Sequence, residues 1–580
     1  TRWDLRLLYK SPQDPQIEKD LKDVERACAT FEKKYKDKDF IKTPEKLARA
    51  FLDYDNLMAK TTQGKPWWYF VLQTHLDSGD KEAQAAVTKY DQRITHATNK
   101  ILFFNLQIAK IPPVTQKKFL KHKALQPYAY ALSRIFRRAQ YNLSEQEEQI
   151  VDLLSQSSYT MWVDGQEKLL TQQTITHKDE EWPLHKAGSI LFDFPKEERH
   201  AIHKKLMNAY KGVSHFAEAE LNAIYNYKKT LDERRGFKQP YSATILNYEN
   251  QERTVKNLVS LVSHYFHISH RFYKLHARLL KEKKITVADR NVKIGKIHKK
   301  FNFKTATSII ETAFEKFGPR YAEIFKTFLK KGHIDVYPIK GKHAGAYCWG
   351  MGDLPTFVLL NYVDDTRSVE TFGHEMGHAI HTELSKSQPP RYQKYSTATA
   401  EVASTLFEQI VSEEIERSLS PKEKIIFLHS RIADEVSTVF RQIACFNFEL
   451  ELHTRIRKEG QLSKEAMAEL MSKHLKSYMG NSVEVTRDDG YFFVGWSHIR
   501  HFFYVYSYAF GQLVSKSLFV RWKKEPSYAE KIEQFLTAGR SMNPEEIFKK
   551  IGIDTSDPSF FESGLIGIEE DIKKLEKLSR

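Results

Sequence analysis

Apolar residues recur at three- and four-residue spacing through much of this 580-residue chain, the pattern of helices with one buried face. Leu21 to Tyr35, Ile101 to Ile111 and Ile150 to Met161 carry it in the first third, with breaks at Pro112-Pro113 and Trp182-Pro183, where proline cannot continue a helix. Trp67, Trp68, Tyr69 and Phe70 are expected in the core, because large rings at helical spacing usually are. Residues 1 to about 195 therefore read as helix after helix, and none of them suggests chemistry. From Glu197 helices continue through Lys326, including an amphipathic Glu218 to Lys228 and a long helix over Leu258 to Leu280. Then the period changes. His333 to Pro338, Gly345 to Gly350 and Pro355 to Tyr362 are short β-rich runs punctuated by Gly and Pro, which predicts a small sheet. After Glu401 the chain returns to helices through Arg580, and no internal repeat or low-complexity tract interrupts it. The fold class is mainly α with a small β-sheet.

Directly after the predicted sheet stands Glu370-Thr-Phe-Gly-His-Glu-Met-Gly-His-Ala-Ile-His381. His374, Glu375 and His378 form H-E-x-x-H, and on a helix positions i and i+4 lie one turn apart on one face, so both imidazoles reach one cation. Zinc suits such a site, accepting neutral imidazole at ~2.0–2.1 Å and tolerating an open fourth position. Glu375 projects roughly 100° away from His374, where it reaches a water on the metal as a general base without being a ligand. Chance produces H-[DE]-x-x-H on the order of 0.1 times per chain of this composition, so the context decides. A third ligand is needed, and 22 residues separate His378 from Glu401, room for the first helix to end and a second to return beside it. Glu401, in Ala400-Glu-Val-Ala-Ser-Thr-Leu-Phe-Glu408 after the breaker Pro389-Pro390, is the preferred third ligand. His381 competes at i+7, but three ligands on one short helix crowd a metal. Glu370 and Glu408 are placed to accept hydrogen bonds from ligand imidazoles. The predicted sheet offers an edge strand for an extended peptide, and Gly345, with Ala346 and Tyr347, permits close approach of a substrate backbone.

Val369 to His381 together with Ala400 to Ser404 resembles the thimet oligopeptidase and oligoendopeptidase F family of zinc peptidases. Gly341-Lys-His-Ala-Gly-Ala-Tyr-Cys-Trp349 is similar to the family's glycine-rich segment beside the substrate cleft, and Leu359-Leu-Asn-Tyr362 to the strand leading to the zinc helix. Trp496 to Gly511 resembles its late His/Tyr segment, and Trp3-Asp-Leu-Arg-Leu-Leu-Tyr9 the oligoendopeptidase F branch. The resemblance runs nearly end to end and is strongest from about 335 to 515. It implies two helical lobes enclosing a substrate channel: a roof over residues 1–195 and a catalytic lobe over 196–580. It also implies one zinc per chain, assigns the third ligand to Glu401 and leaves His381 outside the ligand set. Oligopeptides are the implied substrates, cleaved at internal bonds. Donors to the oxyanion come from the late segment in the family. If residues 497 to 511 are helical, His498, His501, Tyr504 and Tyr508 share one face; His498 and Tyr508 are the first choices, Tyr504 the next, and Tyr506 points elsewhere. A carboxypeptidase or dipeptidyl carboxypeptidase on the same scaffold is the alternative.

Composition narrows the picture little further. Net charge is +16, but the lysines are spread along the chain and no zinc-finger, RNA-recognition or basic-zipper signature accompanies them; a nucleic-acid or peptide-binding protein with a vestigial metal site is the least favoured reading, and no nucleic-acid partner is expected. No apolar run of membrane-spanning length occurs, so no membrane partner is expected, and the N-terminus lacks a basic-then-apolar signal, though a chain beginning at Thr1 leaves room for processing. Three widely spaced cysteines, Cys28, Cys348 and Cys445, argue against a disulfide framework and for a reducing, cytoplasmic location. His264, His267 and His270 lack an acidic or thiol partner and are read as structural. Oligomeric state is left open.

Overall fold

Several helices begin where the sequence supplies a cap. Asp14 accepts from the Gln16 N–H ahead of Pro15–Tyr35, Asn302 caps Phe303–Phe317, and Ser144 with Glu147 and Ser420 with Glu423 close reciprocal capping boxes. The computed structural model describes residues 2–61 and 64–580 and is mainly helical with small sheets. Seven short strands are present among the described residues: β1 Thr174–His177, β2 Glu180–Pro183, β3 Ile285–Thr286, β4 Ile334–Asp335, β5 Tyr347–Trp349, β6 Phe357–Leu359 and β7 Val483–Glu484.

The chain divides into two units. The first comprises Thr1–Gln140, Lys299–Arg417 and Arg521–Gly552, the second Tyr141–His298, Ser418–Val520 and Ile553–Arg580. The linear boundary expected near residue 195 falls inside the second unit.

In the first unit, β4, β6 and β5 form one sheet in that order, β4 parallel and β5 antiparallel to β6. All three β6 residues are buried. The N-terminal tryptophan locks onto this sheet: Trp3 Nε1–H donates to the Val358 carbonyl at 2.8 Å, and Trp3 N–H to Asp335 Oδ2 at 3.3 Å. Tyr69 and Phe70 are core residues there, with Trp67 and Trp68 packed against them. A second apolar cluster gathers around Phe31, Phe40 and Phe104, the last two stacked at 5.2 Å. The sheet backs the helix Thr366–Ser385, which carries H-E-x-x-H.

Three sequence expectations fail in the second unit. The stretch before residue 195 is not wholly helical, because β1 and β2 form a hairpin. Its turn residues Lys178 and Asp179 both take left-handed backbone (φ 49° and 67°) without the glycine that usually signals such a turn. The helix expected over 258–280 is two helices, Glu252–His264 and Phe266–Leu279, parted at Tyr265. Helices do not run unbroken to Lys326: β3, paired in parallel with β7, and an irregular stretch after it intervene. His270 Nε2 meets the Ser477 carbonyl at 2.8 Å, a structural contact.

Candidate metal centre

Two helices of the first unit build the centre. Thr366–Ser385 starts on Asp365, whose side chain accepts from Ser368 N–H at 2.7 Å, and most of its residues are buried. The second helix, Thr397–Ser418, lies against it at unusually short range. A Cβ on Gly377 would meet Ser404 Cα at 2.7 Å and the Ala403 carbonyl at 3.0 Å; one on Gly373 would meet Val411 Cγ2 at 2.9 Å. Glycines at i and i+4, each one residue before a histidine, thus let the helices touch along the histidine-bearing face. Sequence reasoning passed over both, although small residues spaced by four on a helix were the available signal.

That approach gathers His374, His378 and Glu401, whose donor atoms lie within 4.8 Å of one another. His374 Nε2 is 3.5 Å from Glu401 Oε2, and His378 Nε2 is 3.8 Å from Glu401 Oε1. Ligands around a tetrahedral zinc stand about 3.3 Å apart for bond lengths of ~2.0–2.1 Å, so only a slight contraction is required. The imidazole rings are 5.1 Å apart and nearly perpendicular at 82°. The Glu401 side chain is 43% exposed while the histidines are 24% and 17% exposed, so the triad opens to solvent on the carboxylate side. His381 is not among the converging donors. It is buried, stacked on Tyr395 at 3.7 Å and 8°, with Phe535 at 5.5 Å.

The surrounding carboxylates orient the set. Glu408 Oε2 lies 2.8 Å from His374 Nδ1, which fixes the ring and leaves the Nε2 lone pair facing inward. Glu401 Oε2 also accepts from Ser404 Oγ at 3.1 Å. Glu370 accepts from Ser412 Oγ at 3.1 Å, a tie to the Glu401 helix. Charge follows geometry. Burial opposes protonation of His374, but hydrogen bonds to Glu401 and Glu408 outweigh it and raise its pKa to about 10. Burial would likewise raise Glu401, yet the two histidines hold it at about 2. Both directions follow from the carboxylates and imidazoles facing one another across the site. Burial lowers His378 to about 4, with the His374 charge adding to the effect.

Glu375 sits beside the triad, buried and outside it. Burial, reinforced by Glu401 and Glu408, lifts its pKa to about 7 against the pull of His374 and a hydrogen bond from the Cys348 backbone. A proton acceptor near neutrality is thereby held next to the donors. Cys348 belongs to β5, and burial drives its thiol well above the ordinary range, which removes it as a nucleophile. β5 is an edge strand, with no neighbour among the described residues on its other side. Just before it, Gly345 takes φ +84° and its carbonyl accepts from Asn361 Nδ2 at 2.6 Å. Ala346 is partly buried, and the Tyr347 hydroxyl is fixed on His75 Nδ1 at 2.6 Å.

In the second unit the helix expected over 497–511 is broken. A 3-10 turn spans Ser497–Arg500 and the α-helix starts only at Tyr506. Between them Phe502 and Phe503 adopt left-handed backbone, φ 47° and 62°, costly for bulky residues. The surroundings impose it. Tyr225 and Tyr159 hydroxyls donate to the carbonyls of Ile499 and Arg500 at 3.0 and 2.7 Å, and Thr244 Oγ1 donates to Phe502 O at 2.7 Å. Glu449 Oε1 accepts from Phe503 N–H at 2.9 Å, and the Arg500 guanidinium clasps both oxygens of Glu220 at 2.6 and 2.7 Å. The result still assembles His498, Tyr504 and Tyr508: ring centroids are 5.4 Å (His498–Tyr504), 6.0 Å (His498–Tyr508) and 5.7 Å (Tyr504–Tyr508). Tyr506 turns away and accepts from Asn250 Nδ2, and His501 is exposed.

Comparison with known proteins adds to these observations. The profile of peptidase family M3 matches residues 194–565, and a profile described as oligopeptidase F matches 107–172. Oligopeptidase PepF of Bacillus subtilis is 26% identical over 99% of this chain and 87% of its own length. An oligoendopeptidase F homolog of Borreliella burgdorferi is 26% identical over 99% and 98%. Among solved structures, one from Chlamydophila abortus superposes with a TM-score of 0.90 at 21% identity, covering 100% of this chain and 98% of that one. Oligoendopeptidase-F from Enterococcus faecium gives 0.69 at 20% identity, covering 97% of each.

Proposed function

The chain belongs to peptidase family M3, and on that premise we propose that it is a zinc-dependent endopeptidase hydrolysing internal bonds of oligopeptides. One observation carries the reading: His374, His378 and Glu401 converge from two helices with the buried carboxylate of Glu375 beside them. His374, His378 and Glu401 would hold the zinc, which when bound would supply Lewis acidity. Glu375 takes the proton of the attacking water and passes it to the departing amine. Glu408 keeps His374 in the tautomer that points Nε2 at the cation. The hydroxyls of Tyr508 and Tyr504 and the ring of His498 are assigned as donors to the developing oxyanion. The free edge of β5, from Gly345 through Ala346 to Tyr347, is assigned to the substrate main chain, which gives affinity without demanding particular side chains. Glu408 is assigned to orient the His374 ring, Glu370 to tie the two ligand helices together through Ser412, and His381 to pack against Tyr395; the protein is proposed to admit oligopeptides and exclude folded proteins.

The test uses internally quenched peptides blocked at both ends, with zinc quantified in the same sample. Wild type is expected to cut them at internal bonds, and Glu375→Gln to lose roughly 10²–10⁴-fold or more in kcat while retaining about one zinc per chain. Full activity in a strong chelator, or efficient digestion of folded proteins, would overturn the reading.

A further inference from the structure

Several buried and half-buried arginines in the second unit are paired with a carboxylate. Arg500 clasps Glu220, Arg199 binds Asp289 at 2.6 Å, Arg457 pairs with Asp232 and Arg431 reaches Asp571 at 3.1 Å. Arg290 and Arg441 depart from that pattern. Arg290 donates one hydrogen bond, to the Val287 carbonyl at 3.0 Å, and otherwise lies over the rings of Phe192 and Phe492, at 5.3 and 5.7 Å. Arg441 lies 5.9 Å over the ring of Trp496, and its buried Nε has no acceptor. Neither guanidinium pairs with a carboxylate among the described residues. Asp489, whose charge reaches Arg290, is already engaged by His203 at 2.7 Å and by Thr486.

The two cations belong to one place. Phe492 and Trp496, the rings beneath them, are 5.3 Å apart. The Tyr478 hydroxyl, beside the Tyr273 phenol, is buried there and meets no acceptor in hydrogen-bond geometry. Trp496 in turn touches His498 at 6.1 Å, the first member of the His/Tyr cluster, and the Arg441 charge helps burial lower the His498 pKa to about 4. Arg441 ends the π-helical turn Ser437–Arg441, an irregularity that re-aims side chains and recurs at functional sites. Two half-buried cations without an anion carry part of the cost of desolvation uncompensated, and a planar guanidinium stacked on an aromatic ring presents its donors in the fork that matches a carboxylate.

We propose that Arg290 and Arg441, held over Phe492 and Trp496 beside His498, form a site for a carboxylate of the bound oligopeptide, its C-terminal one in a peptide without acidic side chains. The inference rests on the peptidase reading, and it deepens that reading by giving the substrate a charged handle.

Three N-acetylated peptides of one sequence test it: the free acid, the C-terminal amide, and the amide with a terminal glutamate. With wild type, amidation is expected to raise KM at least tenfold with kcat little changed. Arg441→Met, with its zinc content checked, should treat acid and amide alike, and Arg441→Lys should recover part of the difference. A low KM for the glutamate amide identifies the source as any carboxylate near the end; a high one identifies the terminus alone. Equal KM for all three peptides in wild type, or an unchanged acid-to-amide ratio in Arg441→Met, overturns the proposal. Binding is read separately by calorimetry on Glu375→Gln, where the acid should bind at least tenfold more tightly than the amide. Absence of turnover by wild type on every peptide would then count against the peptidase reading, while the calorimetric ratio still decides the carboxylate site.

Discussion

His374 can serve as a ligand only if its ring is held with Nε2 inward, and the 2.8 Å contact between Nδ1 and Glu408 is what holds it. Partners of this kind are worth 10–100-fold in metal affinity. Glu408→Ala is therefore expected to weaken zinc binding by that factor in a competition titration with a chromogenic chelator, with activity restored at high zinc. A buried carboxylate in the second unit, Asp289, governs stability rather than chemistry. Burial would raise its pKa, but the Thr286 N–H, the Arg199 guanidinium and His200 overcome this and hold it at about 2. Holding it there rather than at its ordinary ~3.9 is worth about 2.5 kcal/mol at neutral pH. Because the folded-state pKa is depressed, that contribution is complete above the ordinary carboxylate pKa and disappears as pH falls through 2. Asp289→Asn should accordingly be less stable in urea at pH 7 and lose less on going from pH 5 to pH 2. At this scale the side-by-side placement of His374 and His378 was legible, since helical period alone dictates it. Glu401 could be found as a carboxylate one helix later. That Glu370 would meet Ser412 was not legible, because the register between two helices is set by packing.

Helix contact is where the centre is most sensitive. Ordinarily Gly→Ala inside a helix gains about 1 kcal/mol in propensity. At Gly377 the new methyl would stand 2.7 Å from Ser404 Cα and 3.0 Å from a carbonyl oxygen, backbone atoms that cannot rotate aside, and overpacking costs about 1–3 kcal/mol. The clash wins. Gly377→Ala is expected to push the Glu401 helix outward, lowering both zinc affinity and the melting temperature; a variant that is more stable and fully metallated would contradict this account. Element boundaries set by local signals, such as the capped helix starts and the three strands before H-E-x-x-H, could be read from the chain. The break at 501–505 could not, because the hydroxyls and carboxylate that hold Phe502 and Phe503 in left-handed backbone come from Tyr159, Thr244 and Glu449, far away in sequence. The hairpin at 174–183 escaped for the opposite reason: a Lys-Asp turn carries too weak a local signature.

For the molecule as a whole, a cation that binds only the folded state stabilises it by mass action, about 4 kcal/mol at a thousandfold excess over Kd. Zinc added to chelator-stripped protein should therefore raise the melting temperature in a concentration-dependent way, and Glu401→Ala should abolish most of that rise. Among the described residues no helix is long and apolar enough to cross a membrane. The +16 charge was visible from the start, yet its distribution was not; only the folded arrangement shows that Arg199 and Arg500 meet carboxylates while Arg290 and Arg441, among the described residues, lie over aromatic rings instead.

The threading of the chain has a consequence for biosynthesis. Phe535, which lies against His381, arrives from Arg521–Gly552, the last of three separate segments that make up the first unit. During translation the histidine pair leaves the ribosome about 150 residues earlier, at ~5–20 residues per second, and waits for its final wall. A nascent chain thus passes through a window of roughly eight to thirty seconds with these helices incompletely covered, and apolar surface left bare for that long is a natural target for chaperones.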